Sequence, residues 1–270
     1  MSTSASNAAG VVLVDQPAPH VARLLINRPD KRNAIDFDVR QALTDKITKL
    51  LRDTSVRALV FGGVGGMFSA GGDLPSMVGL SEEQARERMR HIAVLCRLVA
   101  TARIPVVTVI EGFGAGAAVG LALLGDHIVV AKTSKILFPF LKLGLVPDWG
   151  QMLTLPRRVG QAKARQILTS GVPLTGRQSL AAGLADELAA DADAMTVGIA
   201  KASEWGLLPA GAFARFKARL NQPSASIDDE LVREENDQAV CLLGAEFKEG
   251  LSAFTEKRTA DFVSIAGAAE

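Results

Sequence analysis

The chain has 270 residues, 48% of them hydrophobic and 22% charged, with a formal net charge of +1. That composition describes a soluble globular chain able to bury a full core, in one domain or two. The small net charge argues against a broad basic face for nucleic acid, and every long apolar run is broken by glycine or charge before bilayer length, so neither nucleic acid nor a membrane is an expected partner.

In chain order, residues 1–10 lack the basic and apolar regions of a secretion signal and read as a flexible tail. Residues 11–14 and 21–26 read as a hairpin around a turn at 17–19. A helix is expected over 37–51, with Leu43, Ile47, Leu50 and Leu51 on one side. Residues 56–61 form an apolar strand that exits into Gly62-Gly63-Val64-Gly65-Gly66 and then Phe68-Ser69-Ala70-Gly71-Gly72-Asp73-Leu74. Ser81 with Gln84 predicts a capping box, and the helix behind it carries Ala85, Met89, Ile92, Cys96 and Val99 as an apolar stripe. The strand at 106–110, a Gly-Ala helix and a strand at 128–131 continue a strand–helix–strand rhythm. From residue 160 helices are expected over 161–169, 192–204, 210–220, 227–243 and 247–258, with 222–226 as an inter-helix loop. Cys96 and Cys241 both lie in apolar stretches, so two buried thiols are expected rather than a disulfide, and a cytoplasmic location follows. Periodicity alone gives an α/β chain with a helical end.

Chemistry enters at Glu111-Gly112-Phe113-Gly114-Ala115-Gly116-Ala117-Ala118-Val119-Gly120, which follows the 106–110 strand almost without bulky side chains. A strand that breaks into small residues at a helix start leaves backbone N–H groups bare, able to hold a phosphate or an oxygen that turns negative during a reaction. The glycine exit at 62–74 is a second bare turn, and the two could converge on one carbonyl oxygen. A lone Gly-Ala helix would mean only close packing on a sheet. Gly112, Gly114 and Gly116 are wrongly spaced for a dinucleotide fingerprint, there is no Gly-Lys-Ser/Thr loop, and Met67 breaks the G-x-S-x-G frame around Ser69. His20, His91 and His127 have no metal-ligand spacing. His91 lies among charged residues and is expected to be exposed, and His127 to be structural.

Both turns occur in order, with Asn27-Arg28-Pro29 before them and Glu249-Gly250-Leu251-Ser252-Ala253-Phe254 and Glu256-Lys257-Arg258 near the end. On these motifs the chain resembles, over nearly its whole length, the crotonase family of enoyl-CoA hydratases and isomerases. The resemblance implies an α/β fold, a spiral of β-β-α units over 11–205, followed by a helical C-terminal region, 206–270, that carries trimer contacts in a homotrimer or a dimer of trimers. It implies an acyl-CoA thioester as substrate, its carbonyl oxygen held by the N–H groups of Gly72 and Ala117, where relatives commonly have glycine at the second position. It places the coenzyme along Lys31, Arg32, Ala34, Ala70, Asp73 and Leu74, with Phe254 and Lys257 touching the nucleotide, often of a neighbouring subunit. No cofactor beyond the coenzyme A of the substrate is implied.

Hydratases of the family add water with two glutamates, and here those positions hold Gly120 and Phe140. Neither can grip a water, so simple hydratase activity is not expected. One carboxylate remains, Asp148, at a position where dienoyl-CoA isomerases, epoxyphenylacetyl-CoA isomerases and aryl-CoA dehalogenases of the family have aspartate. Its apolar neighbours Leu145, Val146, Pro147 and Trp149 are expected to bury it and raise its proton affinity, although an aspartate here could also be a helix N-cap. Phe140, Val146 and Trp149 are expected to wall the acyl pocket, together with the region 75–89. The stretch Lys142-Leu143-Gly144-Leu145-Val146-Pro147-Asp148 and Leu155-Pro156-Arg157 are most similar to the epoxyphenylacetyl-CoA isomerase-like branch. The expected activity is double-bond migration through a thioester enolate with Asp148 as the single base. The alternatives are an aryl-CoA dehalogenase-like hydrolase, with Asp148 as nucleophile, and an acyl-CoA binder without turnover.

Overall fold

A computed structural model describes residues 10–266, so nearly all of the N-terminal tail and the last four residues lie outside it. Strands β1 (Val12–Ala18) and β2 (Val21–Ile26) pair antiparallel. The reversal is shorter than expected. Pro17 continues β1, and the turn falls on Pro19 and His20, where His20 takes φ 62° and its Nδ1 meets Ser55 O at 2.9 Å. Helix α1 (Phe37–Leu50) starts at Asp36, whose carboxylate accepts the Val39 N–H at 3.0 Å. Then come β3 (Ala58–Gly63), α2 (Glu82–Ala100) behind the Ser81–Gln84 capping box, β4 (Val106–Ile110), β5 (Phe113–Ala115), α3 (Ala117–Leu123), β6 (His127–Ala131) and β7 (Lys135–Leu137).

The order β1-β2-β3-β4-β6 continues to β9 (Glu187–Ala189), parallel throughout except at the first hairpin. Successive side chains of a strand leave on opposite faces. Leu59 and Phe61, Val106 and Ile110, and Ile128 and Val130 join one apolar cluster with α1, α2 and α3. Ala58 and Val60, Val107 and Val109, and Val129 and Ala131 join a second, closed by Ala194 and Ala202 of α7 (Ala194–Gly206). Burial on both faces is why these strands read as unbroken apolar runs. A small sheet, β5 and β7 with β8 (Leu174–Thr175), carries the Gly-Ala turn beside the main one. Strands β5, β7, β8 and β9 are two or three residues long, too short to show a period, and sequence patterning does not predict them.

Helix α4 (Gln151–Val159) packs on α3 and on α5 (Gln161–Ser170), and α6 (Gly176–Ala181) packs on β7 and β8 of the smaller sheet. The chain ends in α8 (Ala210–Asn221), α9 (Ile227–Leu243), α10 (Ala245–Glu256) and α11 (Phe262–Ala266). These last helices leave Phe216, Leu220, Leu231, Leu243, Leu251 and Phe254 exposed. No helix among the described residues is long and apolar enough to cross a membrane. Three expectations need correction. In α2 the buried stripe is Ile92, Leu95 and Val99, all in the second half of the helix, while Ala85 and Met89 in the first half stand exposed. Cys96 and Cys241 are free thiols but only half-buried. His91 is half-buried, stacked on Phe37 at 4.6 Å.

Candidate active site

The glycine exit of β3 is fixed by a buried asparagine. Asn33 Nδ2 donates to Val64 O at 3.0 Å and to Met67 O at 2.8 Å, and its Oδ1 accepts the Arg28 N–H at 2.9 Å. Ser69, also buried, is not placed as a nucleophile. Its Oγ accepts the Gly71 N–H at 3.0 Å, while its main chain is laced to the Gly-Ala turn, receiving from Ala115 N and donating to Phe113 O. Gly71 takes φ +91°, and a β-carbon there would lie 2.3 Å from Ala115 O and 3.5 Å from Ala117 N. Only glycine allows both that conformation and that approach. The two bare turns therefore touch.

Strand-like pairing selects which amides stay free. Ile35 donates to Gly71 O at 2.7 Å and accepts from Asp73 N at 3.2 Å, which consumes the groups on either side of Gly72 and turns the Gly72 N–H away. The Gly72 N–H has no partner among the described residues. Ala117 N, the first residue of α3, has none either, because the turn before it closes through Gly116 N to Leu137 O at 3.0 Å. Gly72 and Ala117 line one cavity of about 630 Å³, and Asp148 lines it with them. Volume does not pick out this site. Clefts of about 840 and about 750 Å³ lie against the C-terminal helices, but neither gathers bare amides with an unpartnered acid.

Asp148 sits in the turn before α4, its carbonyl accepting from Gln151 N at 3.1 Å, and the N-cap of that helix is Gly150, so the aspartate is not the cap. Its Oδ1 is buried without a hydrogen-bond partner among the described residues. Burial pushes the carboxyl up to about 6, against the lowering effects of Arg88, its own backbone N–H and Arg40. The cause of burial differs from the expectation. Leu145 is 43% and Val146 73% exposed, and only Trp149 of the apolar neighbours is fully covered, so the cavity walls rather than the flanking residues desolvate the acid. Val146, expected as an acyl-pocket wall, does not line the cavity, whereas Phe140 and Trp149 do line it and are both buried.

The two positions at which the resemblance implies a hydratase's glutamates, Gly120 and Phe140, are closed here. A β-carbon on Gly120 would sit 2.4 Å from Trp149 Cβ and 2.9 Å from Gln151 Nε2, so Trp149, at φ +54°, and Gln151 occupy the space of a longer side chain. Phe140 fills the other. Gln151 is fully buried, and its Nε2 donates to Gly116 O at 3.2 Å and Asp148 O at 3.0 Å, tying the acid's turn to the turn that carries Ala117.

Lys31, Arg32, Ala34, Ala70, Asp73 and Leu74 all border the same cavity, with the two cations exposed at its mouth. Phe254 and Lys257 do not. Phe254 is 83% exposed on α10, and Lys257 caps that helix in a left-handed conformation. Sequence reasoning missed Asn33, Gln151, Arg88 and Arg40. Arg88 lines the cavity from α2. Arg40, only 2% exposed, is lowered to about 10 by burial and by Arg88. Arg40 Nε donates to His91 Nδ1 at 3.2 Å, which places the histidine proton on Nε2 toward Gln41 Oε1 at 3.1 Å. No local motif marks these four, which come from separate elements.

Comparison with known proteins identifies the family and the fold. A model of the enoyl-CoA hydratase/isomerase family matches residues 18–264. Among similar proteins are a 1,2-epoxyphenylacetyl-CoA isomerase of Escherichia coli (strain K12), 29% identical over 90% of this chain and 94% of the relative, and a crotonyl-CoA hydratase of Syntrophomonas wolfei, 30% identical over 90% and 95%. A crystal structure of an enoyl-CoA hydratase from Polaromonas sp. JS666 superposes with a TM-score of 0.88 at 25% identity, covering 93% of this chain and 99% of that one. With its crotonase fold and a family match along almost its entire length, the chain belongs to the enoyl-CoA hydratase/isomerase family.

Proposed function

We propose that this protein moves a carbon–carbon double bond within an acyl-CoA thioester through an enolate. The thioester oxygen accepts from Gly72 N–H and Ala117 N–H. Asp148, ionised, takes a proton from the carbon next to the double bond; the electron pair shifts into the conjugated thioester, and the negative charge collects on the held oxygen. Asp148, now protonated, returns the proton two carbons away, so the reaction is balanced without water. Donors already in place spare the reorganisation that solvent would need, and one such donor is worth about 2.7–4 kcal/mol.

The observation that carries this reading is the pairing of an unpartnered buried carboxylate, raised to about 6, with two free amides in one cavity whose hydratase positions are filled by Trp149, Gln151 and Phe140. A base poised near neutral pH suits proton transfer between carbons. The reaction uses only the chain's own groups and the coenzyme A of its substrate, which Lys31, Arg32, Ala34, Ala70, Asp73 and Leu74 would hold. In the same reading, the exposed apolar side chains of α8–α10 meet other subunits in a trimer or hexamer, bringing Phe254 and Lys257 to a neighbour's nucleotide; sedimentation measures that state.

The test is hydrogen exchange. Incubated in D2O with a 3-enoyl-CoA, the protein should exchange the α-hydrogens and deliver the 2-enoyl isomer, and Asp148→Asn should slow both by about 10²–10⁴-fold. Halide release from an aryl-CoA, abolished by the same change, would support a nucleophilic Asp148 instead. Tight binding without exchange would leave only an acyl-CoA binder.

A further inference from the structure

Resting on that reading of the site, we infer that the acyl group it accepts carries a carboxylate close to the thioester, received by the guanidinium of Arg88. Arg88 lines the cavity alongside Gly72, Ala117 and Asp148. A β-carbon built on Gly72 would lie 3.6 Å from Arg88 Nη2, which puts that nitrogen within about 6 Å of the Gly72 amide. It shares the cavity with the exposed Lys31 and Arg32 and lies on the Gly72 side of it.

The guanidinium is not spent on the protein itself. Its one side-chain hydrogen bond is a long contact of 3.4 Å from Nη1 to Ser76 Oγ, and no carboxylate lies within 4.0 Å of it among the described residues. Asp73, the nearest acid on the adjoining turn, caps the short helix after it through Ser76 N at 3.3 Å, and Asp36 is paired with Arg28 at 2.8 Å. Behind it lies a second cation, Arg40, with Nη1 buried and unpartnered. Burial disfavours the charge of both arginines, and their attraction to Asp148 only partly offsets it. That leaves the Arg88 guanidinium in the cavity without a carboxylate in direct contact, with Asp148 and Asp73 acting on it only at longer range. An incoming carboxylate would satisfy it through the bidentate geometry that arginine favours. An apolar acyl chain would instead strip more water from an unpaired cation, which is costly.

Glutaryl-CoA and its ω-methyl ester separate recognition from chemistry, since they differ by one negative charge and neither needs turnover to bind. Calorimetry should show wild type binding the acid at least tenfold more tightly than the ester. Arg88→Met should erase that preference by weakening the acid alone, and Arg88→Lys, which keeps the charge but not the fork, should recover part of it. Equal binding of acid and ester by wild type, or an equal loss for both in Arg88→Met, overturns the inference. Hydrogen exchange at the α-carbon of the 3-enoyl analogues of these two thioesters reports on the enolate separately. An Arg88-dependent preference for the acid without exchange leaves the inference standing and sinks the isomerase reading. Exchange with the ester as fast as with the acid keeps the isomerase and removes the carboxylate.

Discussion

On one side of the cavity the working groups are main chain. The Gly72 and Ala117 amides are aimed by neighbouring backbone pairs, Ile35 to Gly71 and Asp73, Ser69 to Phe113 and Ala115, Gly116 to Leu137. On the other side they are side chains, Asp148, Trp149, Phe140 and Arg88, gathered from α2, the turn before α4 and the turn after β7, with Gln151 of α4 bracing them from behind. The first side depends on what is missing, since any β-carbon at Gly71 would collide with Ala115 O. The second depends on what is present and how it packs. Backbone donors tolerate exchange of side chains around them, so one oxyanion pocket can serve different reactions, whereas the side-chain half decides which proton moves.

If that division holds, the largest effect belongs to the single acid, the 10²–10⁴-fold loss expected for Asp148→Asn. Next comes the glycine that sets the distance between the two turns. Gly71→Ala must relieve a 2.3 Å approach to Ala115 O and abandon φ +91°, displacing Gly72 from Ala117. The expected result is the loss of one donor, about 10²–10³-fold in the rate of α-hydrogen exchange, with Asp148 still titrating normally. Wild-type exchange in Gly71→Ala would show that the two turns do not work as one site.

Restoring a glutamate tests the side-chain half. In Gly120→Glu the new side chain must displace Trp149 and Gln151, since even its first carbon would lie 2.4 Å from Trp149 Cβ. Overpacking of this kind costs about 1–3 kcal/mol. The double-bond shift should fall roughly tenfold or more, as the Gln151 link between Asp148 O and Gly116 O is lost. No hydration of a 2-enoyl-CoA should appear. Appearance of the 3-hydroxy product would mean that the pocket was one residue from a hydratase, and that the packing of Trp149 is incidental.

The same division explains what the sequence discloses and what it hides. Glycine runs after β3 and β4 mark the backbone half because only small residues permit such turns, and the long parallel strands announce themselves as apolar runs. Asp148 is legible as the one acid in an apolar turn, but its surroundings are not. Val146, its neighbour in sequence, points to solvent, while Arg88 lies 60 positions away and reaches the cavity only because α2 packs on α1. Gln151 reads as an ordinary first residue of a helix. Strands β5, β7, β8 and β9 escape because two or three residues carry no periodicity, although the first three hold the Ala117 turn in place.

The smallest expected effect concerns the cost of holding the acid. Asp148 has a pKa near 6 in the folded chain against an ordinary 3.8, so the folded state binds its proton more tightly than the unfolded one. Stability therefore falls as pH rises through the window from 3.8 to about 6; below the window the carboxyl is neutral in both states and costs nothing, and above it the penalty is fully present. Because the group is half-open to the cavity and faces Arg88, the penalty is discounted to about 1–2 kcal/mol. Asp148→Asn should accordingly be more stable than wild type at about pH 7.5, with a Tm higher by about 2–4 °C per kcal/mol, and the two should converge near pH 4. The rate of α-hydrogen exchange in wild type should rise with pH through the same value, near 6, since only the ionised acid accepts a proton. A common midpoint in melting and in rate would tie the instability of the turn to its chemistry. A rate that levels off near pH 4, with no gain in stability for the asparagine variant, would mean that water reaches this carboxylate freely and that the side-chain half of the site is not the desolvated base described above.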